Sequence, residues 1–252
     1  MSSSIWTQCA GDSEIGLLRR EPWRAVESQH QVSTRKLVDS DAEQQVLEEL
    51  IEGVKPPAPA GDRLHYLLFT PFRYPPLRHG SRFGSRTERG IWYGAETIRS
   101  AFAEVAYYRL LFLEGTRADI APIEAQLTTF RITVRTSRGV DLTRPPFDAF
   151  SSILTSPTDY TETQALGRAM REAGVQAFRY RSARDIEGGT NVGVIDPAAF
   201  GRRAAPKDFG AWYCSASRQA VEMKRLNYFD REVYTFPRSD FLVNGMLPMP
   251  AL

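Results

Sequence analysis

The stretch IWYGAETIRSAFAEVAYYRLLF, Ile91 to Phe112, changes period in its middle, and that change decides the fold class. Ile91 to Tyr93 is a short apolar run of the kind a strand makes. From Thr97, a residue suited to an N-cap, Ile98, Ala101, Phe102, Val105, Tyr108 and Phe112 recur at helical spacing. The spacing predicts a strand feeding a helix with that stripe in the core. Glu104 lies about 100° from the centre of the stripe, at about 100° per residue, on its margin beside Ala101 and Tyr108. Arg109 projects into the stripe, so it must snorkel or find a partner.

Working outward from this unit, Ser40 and Glu43 have the spacing of a capping box. Val46, Leu47, Leu50 and Ile51 then follow a helical period to Glu52, and Gly53 stops the helix. The run Lys55-Pro56-Pro57-Ala58-Pro59-Ala60-Gly61 cannot continue it, because its prolines lack the amide donor. Residues 1–60 are therefore expected to form a helical extension with a Pro-rich linker, and 61–252 the main domain. Leu64 to Phe72 is expected to be a strand. Phe130, Ile132 and Val134 alternate with Thr129, Arg131, Thr133 and Arg135, the period of a strand with one wet face. A helix over Glu162 to Ala173 carries Ala165, Leu166, Ala169 and Met170 on one side and ends at Gly174. Val175 to Tyr180 and Val192 to Ile195 read as strands bracketing a polar loop, with further short strands after Ala211. Strands and helices do not alternate regularly, which points to α+β rather than a doubly wound sheet.

The chain has 252 residues, 42% hydrophobic and 25% charged, which excludes disorder and collagen-like repeats. No apolar run is long enough to span a bilayer, and the first residues lack a basic segment followed by an apolar one, so a cytoplasmic protein without membrane contact is expected. Cys9 and Cys214 have no CxxC spacing, and His30, His65 and His79 are scattered, so no metal is expected. A net charge of +2 gives little reason to expect direct nucleic-acid binding. Of the 32 basic residues only Lys36, Lys55, Lys207 and Lys224 are lysines, which leaves 28 arginines. Codon bias accounts for such an excess, but not for where the arginines gather.

They gather between Pro71 and Ala95, where Arg73, Arg78, Arg82, Arg86 and Arg89 face one acid, Glu88, and Tyr74, Phe83, Trp92 and Tyr93 are interleaved. Guanidinium forks suit phosphates and aromatic faces suit flat rings, so a ligand carrying both is indicated, against the alternative of a solvated loop. Glu104 is a carboxylate at the edge of an apolar helix. Ser182 lies in the loop after a hydrophobic strand, between Arg181 and Arg184, and no GxSxG elbow marks it as an acyl nucleophile.

In order, Phe72-Arg73-Tyr74-Pro75, Gly80-Ser81-Arg82-Phe83, Trp92-Tyr93-Gly94-Ala95 with Glu104, and Tyr180-Arg181-Ser182-Ala183-Arg184 before Asn191-Val192-Gly193-Val194 resemble the RES domain, over about Leu64 to Pro197. The resemblance implies a compact, ADP-ribosyltransferase-like α+β fold, a mixed sheet with flanking helices. It also implies the toxin of a bacterial toxin–antitoxin pair that consumes NAD, by phosphorolysis with inorganic phosphate or by ADP-ribosyl transfer to a target protein. The implied partner is a helix-turn-helix antitoxin. Carried over by position, Arg82, Glu104 and Ser182 would be catalytic, and Arg73, Tyr74, Arg82, Tyr93 and Ser182 would bind NAD. Where many members read Arg-Trp-Asn, this chain reads Arg82-Phe83-Gly84 and lacks one polar contact. The other reading is a non-catalytic phosphate- or nucleotide-binding module with Glu104 in a structural role.

Overall fold

The computed structural model describes residues 4–28, 37–55, 64–74, 79–118, 120–202, 204–227, 229 and 231–249. His30, Arg78, most of the Pro-rich linker and Pro75-Pro76 lie outside the described residues. The strands are β1 (Gly16–Arg20), β2 (Trp23–Glu27), β3 (Trp92–Ala95), β4 (Ile123–Arg131), β5 (Val134–Asp141), β6 (Ala177–Arg181), β7 (Thr190–Val194), β8 (Lys207–Ala216), β9 (Ala220–Arg225) and β10 (Val233–Pro237). The helices are α1 (Ile5–Gln8), α2 (Asp41–Val54), α3 (Tyr66–Arg73), α4 (Ile98–Glu114), α5 (Ser151–Leu154) and α6 (Thr161–Glu172). One mixed sheet runs in the order β1-β5-β6-β7-β3-β2-β4-β8-β9-β10. Its pairs are antiparallel except β5 with β6, which α5 and α6 connect as a crossover. Among the described residues no helix is long and apolar enough to cross a membrane.

Helices cover both faces. Successive residues of β3 point to opposite sides: Trp92 packs with Leu67, Leu68 and Phe72 of α3 and with Phe200, whereas Tyr93 packs with Phe83, Phe178, Tyr180 and Met170 of α6. A third cluster joins Phe102, Ala106, Tyr107 and Leu110 of α4 to Trp212, Met223 and Phe236 of β8, β9 and β10.

Four expectations are corrected. Residues 64–72 form no strand: α3 is a helix, with His65 Nδ1 accepting from the Leu67 amide at its start and Leu67, Leu68 and Phe72 buried on one side. A short apolar run has no period long enough to separate strand from buried helix. The buried face of α4 is rotated from the expected stripe and centres on Phe102, Ala103, Ala106, Tyr107 and Leu110, while Tyr108 and Phe112 are exposed. The Thr97 cap holds as expected, its hydroxyl accepting from the Ser100 amide. The alternating run 129–135 belongs to two strands that join different neighbours, β4 beside β2 and β8, and β5 beside β1 and β6. Finally, the first residues are no extension outside the sheet. β1 and β2 are sheet members, and Ile5, Trp6 and Cys9 enter the core formed with α6. Within 1–60, α2 alone corresponds to the expected helix, capped by Ser40, but it runs through Gly53 to Val54 instead of stopping at the glycine, and it buries none of its residues.

Candidate functional site

Strands β2 and β3 share a single pair, Trp23 with Ala95, and α4 lies against both. A cavity of about 550 Å³ opens there, within the range of roughly 300–1,000 Å³ usual for small-molecule sites. Its polar lining includes Arg24, Ser81, Arg82, Tyr93, Glu104 and Asn191, and its apolar lining Val26, Val105, Phe112 and Leu127.

Arg82 reaches the cavity through a tight turn in which Ser81 and Gly84 bridge. Phe83 points the other way, fully buried, edge-on to Phe178 and Tyr180. This turn sits on α6 where Gly167 stands, because any side chain there would strike the carbonyl of Phe83, 1.8 Å from an added Cβ. Nη1 of Arg82 donates to the carbonyls of Ser156 at 2.6 Å and Leu154 at 3.3 Å, and the guanidinium lies 4.6 Å from the centre of the Tyr160 ring. Its Nε and Nη2 hydrogen-bond no described residue.

Glu104 projects from α4, and its Oε1 accepts from Asn191 Nδ2 at 2.8 Å and Ser182 Oγ at 3.0 Å. Oε2 has no hydrogen-bond partner among the described residues. The second Asn191 N–H points to Tyr180 Oη at 3.4 Å. This orientation of the amide is assigned from the network: reversed, its oxygen would face the Glu104 carboxylate. Ser182 is buried and does not line the cavity; its Oγ also accepts from the amides of Arg184 and Asp185 at 3.1 Å each. It therefore touches the cavity only through Glu104. Arg184 is structural as well, donating to the Pro157 carbonyl and Tyr160 Oη with its guanidinium 3.5 Å from the Tyr107 ring centre.

Tyr93 lines the cavity with its hydroxyl paired to Ser81 Oγ at 2.9 Å and accepting from the Phe83 amide. Burial pushes its phenol up to about 12, and pushes Tyr180 well above the ordinary tyrosine value, so both are neutral hydrogen-bonding groups at pH 7. Arg73 and Tyr74 do not line the cavity. Arg73 ends α3 and pairs with Glu52 of α2 at 2.8 Å, and Tyr74 is partly exposed. Arg86 and Arg89 are exposed, so of the described arginines in that loop only Arg82 faces the cavity.

Sequence reasoning missed the contributions of Arg24 and Tyr160, and it quoted Asn191 without a role. The signal for Arg24 was slight: β2 is five residues long and sits in a segment without a strong period. Arg109 finds the partner its position demanded, an ion pair with Glu27 beside the cavity. Among the described residues no group of three or more His, Cys, Asp or Glu is gathered as a metal site requires.

The family profile described as RES domain matches residues 57–205. No curated protein matches the chain in sequence. Among solved structures, the crystal structure of the M. tuberculosis MbcT–MbcA toxin–antitoxin complex is similar at 14% identity and a TM-score of 0.48, over 82% of this chain and 91% of that chain.

Proposed function

The chain belongs to the RES domain family, and from that premise we propose that it is an NAD-consuming enzyme of the ADP-ribosyltransferase-related kind, acting as the toxin of a toxin–antitoxin pair. The observation that carries this reading is Glu104, with one carboxylate oxygen held by two donors and the other without a partner among the described residues, in a cavity that also holds Arg82.

Cleavage of the nicotinamide–ribose bond builds positive charge on the ribose, and a fixed carboxylate lowers the barrier only if it is already oriented. Ser182 and Asn191 supply that orientation. Two hydrogen bonds to Oε1 stop the carboxylate from turning, which presents Oε2 to the ribose hydroxyls and the cation. Arg82, anchored through Nη1, has its remaining N–H groups for a phosphate, so binding energy from the phosphates becomes orientation at the ribose. Tyr93 and Tyr180 form a neutral, hydrogen-bonding wall next to Glu104. In this reading Ser182 is a positioning residue rather than a direct ligand of the substrate. Arg73 and Tyr74 would bind NAD only after a rearrangement that frees Arg73 from Glu52.

The acceptor of the ADP-ribosyl group is inorganic phosphate or a target protein, and the antitoxin, a helix-turn-helix protein, would block the cavity. Incubation of the protein with NAD, with and without phosphate, decides among these. Phosphate-dependent nicotinamide release assigns phosphorolysis, label on a protein assigns transfer, and no release in either condition assigns a non-catalytic nucleotide-binding module.

A further inference from the structure

The loop between β6 and β7 lies across the start of α4 and is fastened to it twice. One fastening is the Ser182 hydroxyl on Glu104; the other is Asp185, whose Oδ2 accepts from Ser100 Oγ at 2.5 Å. Ser100 stands one helical turn before Glu104, so both bonds leave the same face of α4. Asp185 and Ser100 are buried, and neither lines the cavity. Asp185 Oδ1 accepts from the Glu187 amide at 3.1 Å and pairs with Arg99 Nε at 3.4 Å. A carboxylate whose side chain is 2% exposed is retained only where such partners replace water, and these come from α4 and from its own loop. The approach is close: a Cβ on Gly189 would stand 2.0 Å from Ser100 Oγ and 2.5 Å from Asp185 Oδ2. The two fastenings are joined, because the Asp185 amide donates to the same Ser182 Oγ that donates to Glu104.

We propose that Asp185 is a positioning residue for Glu104: held by Ser100 and Arg99, it fixes the loop on α4 and so sets the Ser182 hydroxyl that orients the carboxylate. The inference rests on the reading above of Glu104 as the group that stabilises the ribose cation, and it adds to that reading a residue that touches no substrate. The charge of Asp185 matters as well as its shape. An amide at this position keeps the volume but is a weaker acceptor for Ser100 and offers Arg99 no charge.

The test measures nicotinamide release from NAD by the parent protein, Asp185→Asn, Ser182→Ala and the double variant, with amide hydrogen exchange followed by NMR at Arg184. The Arg184 amide donates to Ser182 Oγ, so its exchange reports the placement of that hydroxyl independently of turnover. For Asp185→Asn the expected result is a kcat about tenfold lower with KM little changed, and Arg184 exchange about tenfold faster. In the Ser182→Ala background the further loss of kcat should be less than about twofold, because the two residues act in series. Parent-like kcat or parent-like exchange in Asp185→Asn would overturn the proposal. So would a loss repeated in full in the double variant, or one carried by KM, since either marks a role independent of Ser182. Ser100→Ala, which leaves Asp185 paired with Arg99, takes the same measurements if Asp185→Asn does not fold. A parent protein that releases no nicotinamide defeats the proposed reaction; faster Arg184 exchange in Asp185→Asn then upholds the fastening, and unchanged exchange overturns it as well.

Discussion

Ser182 donates its hydroxyl to Glu104 at 3.0 Å, although the two residues lie 78 positions apart in the chain, and the same oxygen accepts from two amides of its own loop. The hydroxyl therefore ties the β6–β7 loop to the carboxylate of α4. Ser182→Ala should lower kcat for nicotinamide release by about tenfold with KM little changed, because it removes one charge-assisted hydrogen bond from the carboxylate. The same change leaves the Arg184 and Asp185 amides without their acceptor and should cost about 1–3 kcal/mol in chemical denaturation. A variant with parent kcat would remove Ser182 from the catalytic arrangement.

Glu104→Gln keeps the volume of the side chain and lets an amide oxygen accept from Ser182 and Asn191, so the variant should fold normally. It removes the charge facing the cavity. Nicotinamide release should fall by about two orders of magnitude, equivalent to roughly 3 kcal/mol of transition-state stabilisation. Undiminished turnover in a folded variant assigns the carboxylate no part in the reaction.

Arg82→Lys tests the fork rather than the charge. One Nη1 serves the Ser156 and Leu154 carbonyls while the rest of the guanidinium stays available, and an ammonium cannot divide itself in that way. Loss of stacking on Tyr160 adds to the effect. KM for NAD should rise about tenfold, as measured by steady-state kinetics. A KM equal to that of the parent would refute the clamp.

On the strand side, Glu96 accepts from Arg179 at 2.7 Å through each of its oxygens, from Arg20 at 2.8 Å, and from the Thr190 hydroxyl. Burial raises its pKa, but the hydrogen bonds and charges of these partners outweigh that and hold it below the usual carboxylate value. The folded state therefore prefers the ionised form more than the unfolded chain does. This stability is fully present above the ordinary carboxylate pKa and is lost as pH falls through the lower, folded value. Glu96→Gln should destabilise the protein at pH 7 by about 1–3 kcal/mol, and the two unfolding curves should converge in acid. A gap that stays constant down to pH 3 would show that packing, not charge, is responsible.

The start of α4 was legible, since the Thr97 cap follows from spacing within one helix. The burial of its other residues was not: the apolar positions of α4 run nearly all the way round, and only contact with β8, β9 and β10 selects Tyr107 over Tyr108. The arginine loop was legible as a cluster and misleading as a site, because a count of charges cannot distinguish Arg82 facing the cavity from Arg86 and Arg89 in solvent.

The amino-acid sequence by itself determined the local and ordered features: helix caps, the C′ glycine Gly174 with its φ of 71°, the mixed α and β character, and the succession of Arg82, Tyr93, Glu104 and Ser182 on which the resemblance to the RES domain rests. Such signals act within a few residues or persist as order along the chain. Only the tertiary structure decided which side chains share one cavity. The packing of α4 on the sheet brings Ser182 and Asn191 to Glu104 across 78 and 87 positions, while Arg73 ends α3 outside the cavity lining and pairs with Glu52. Hydrogen bonds and charges act over a few ångströms of space, and separation along the chain does not report that distance.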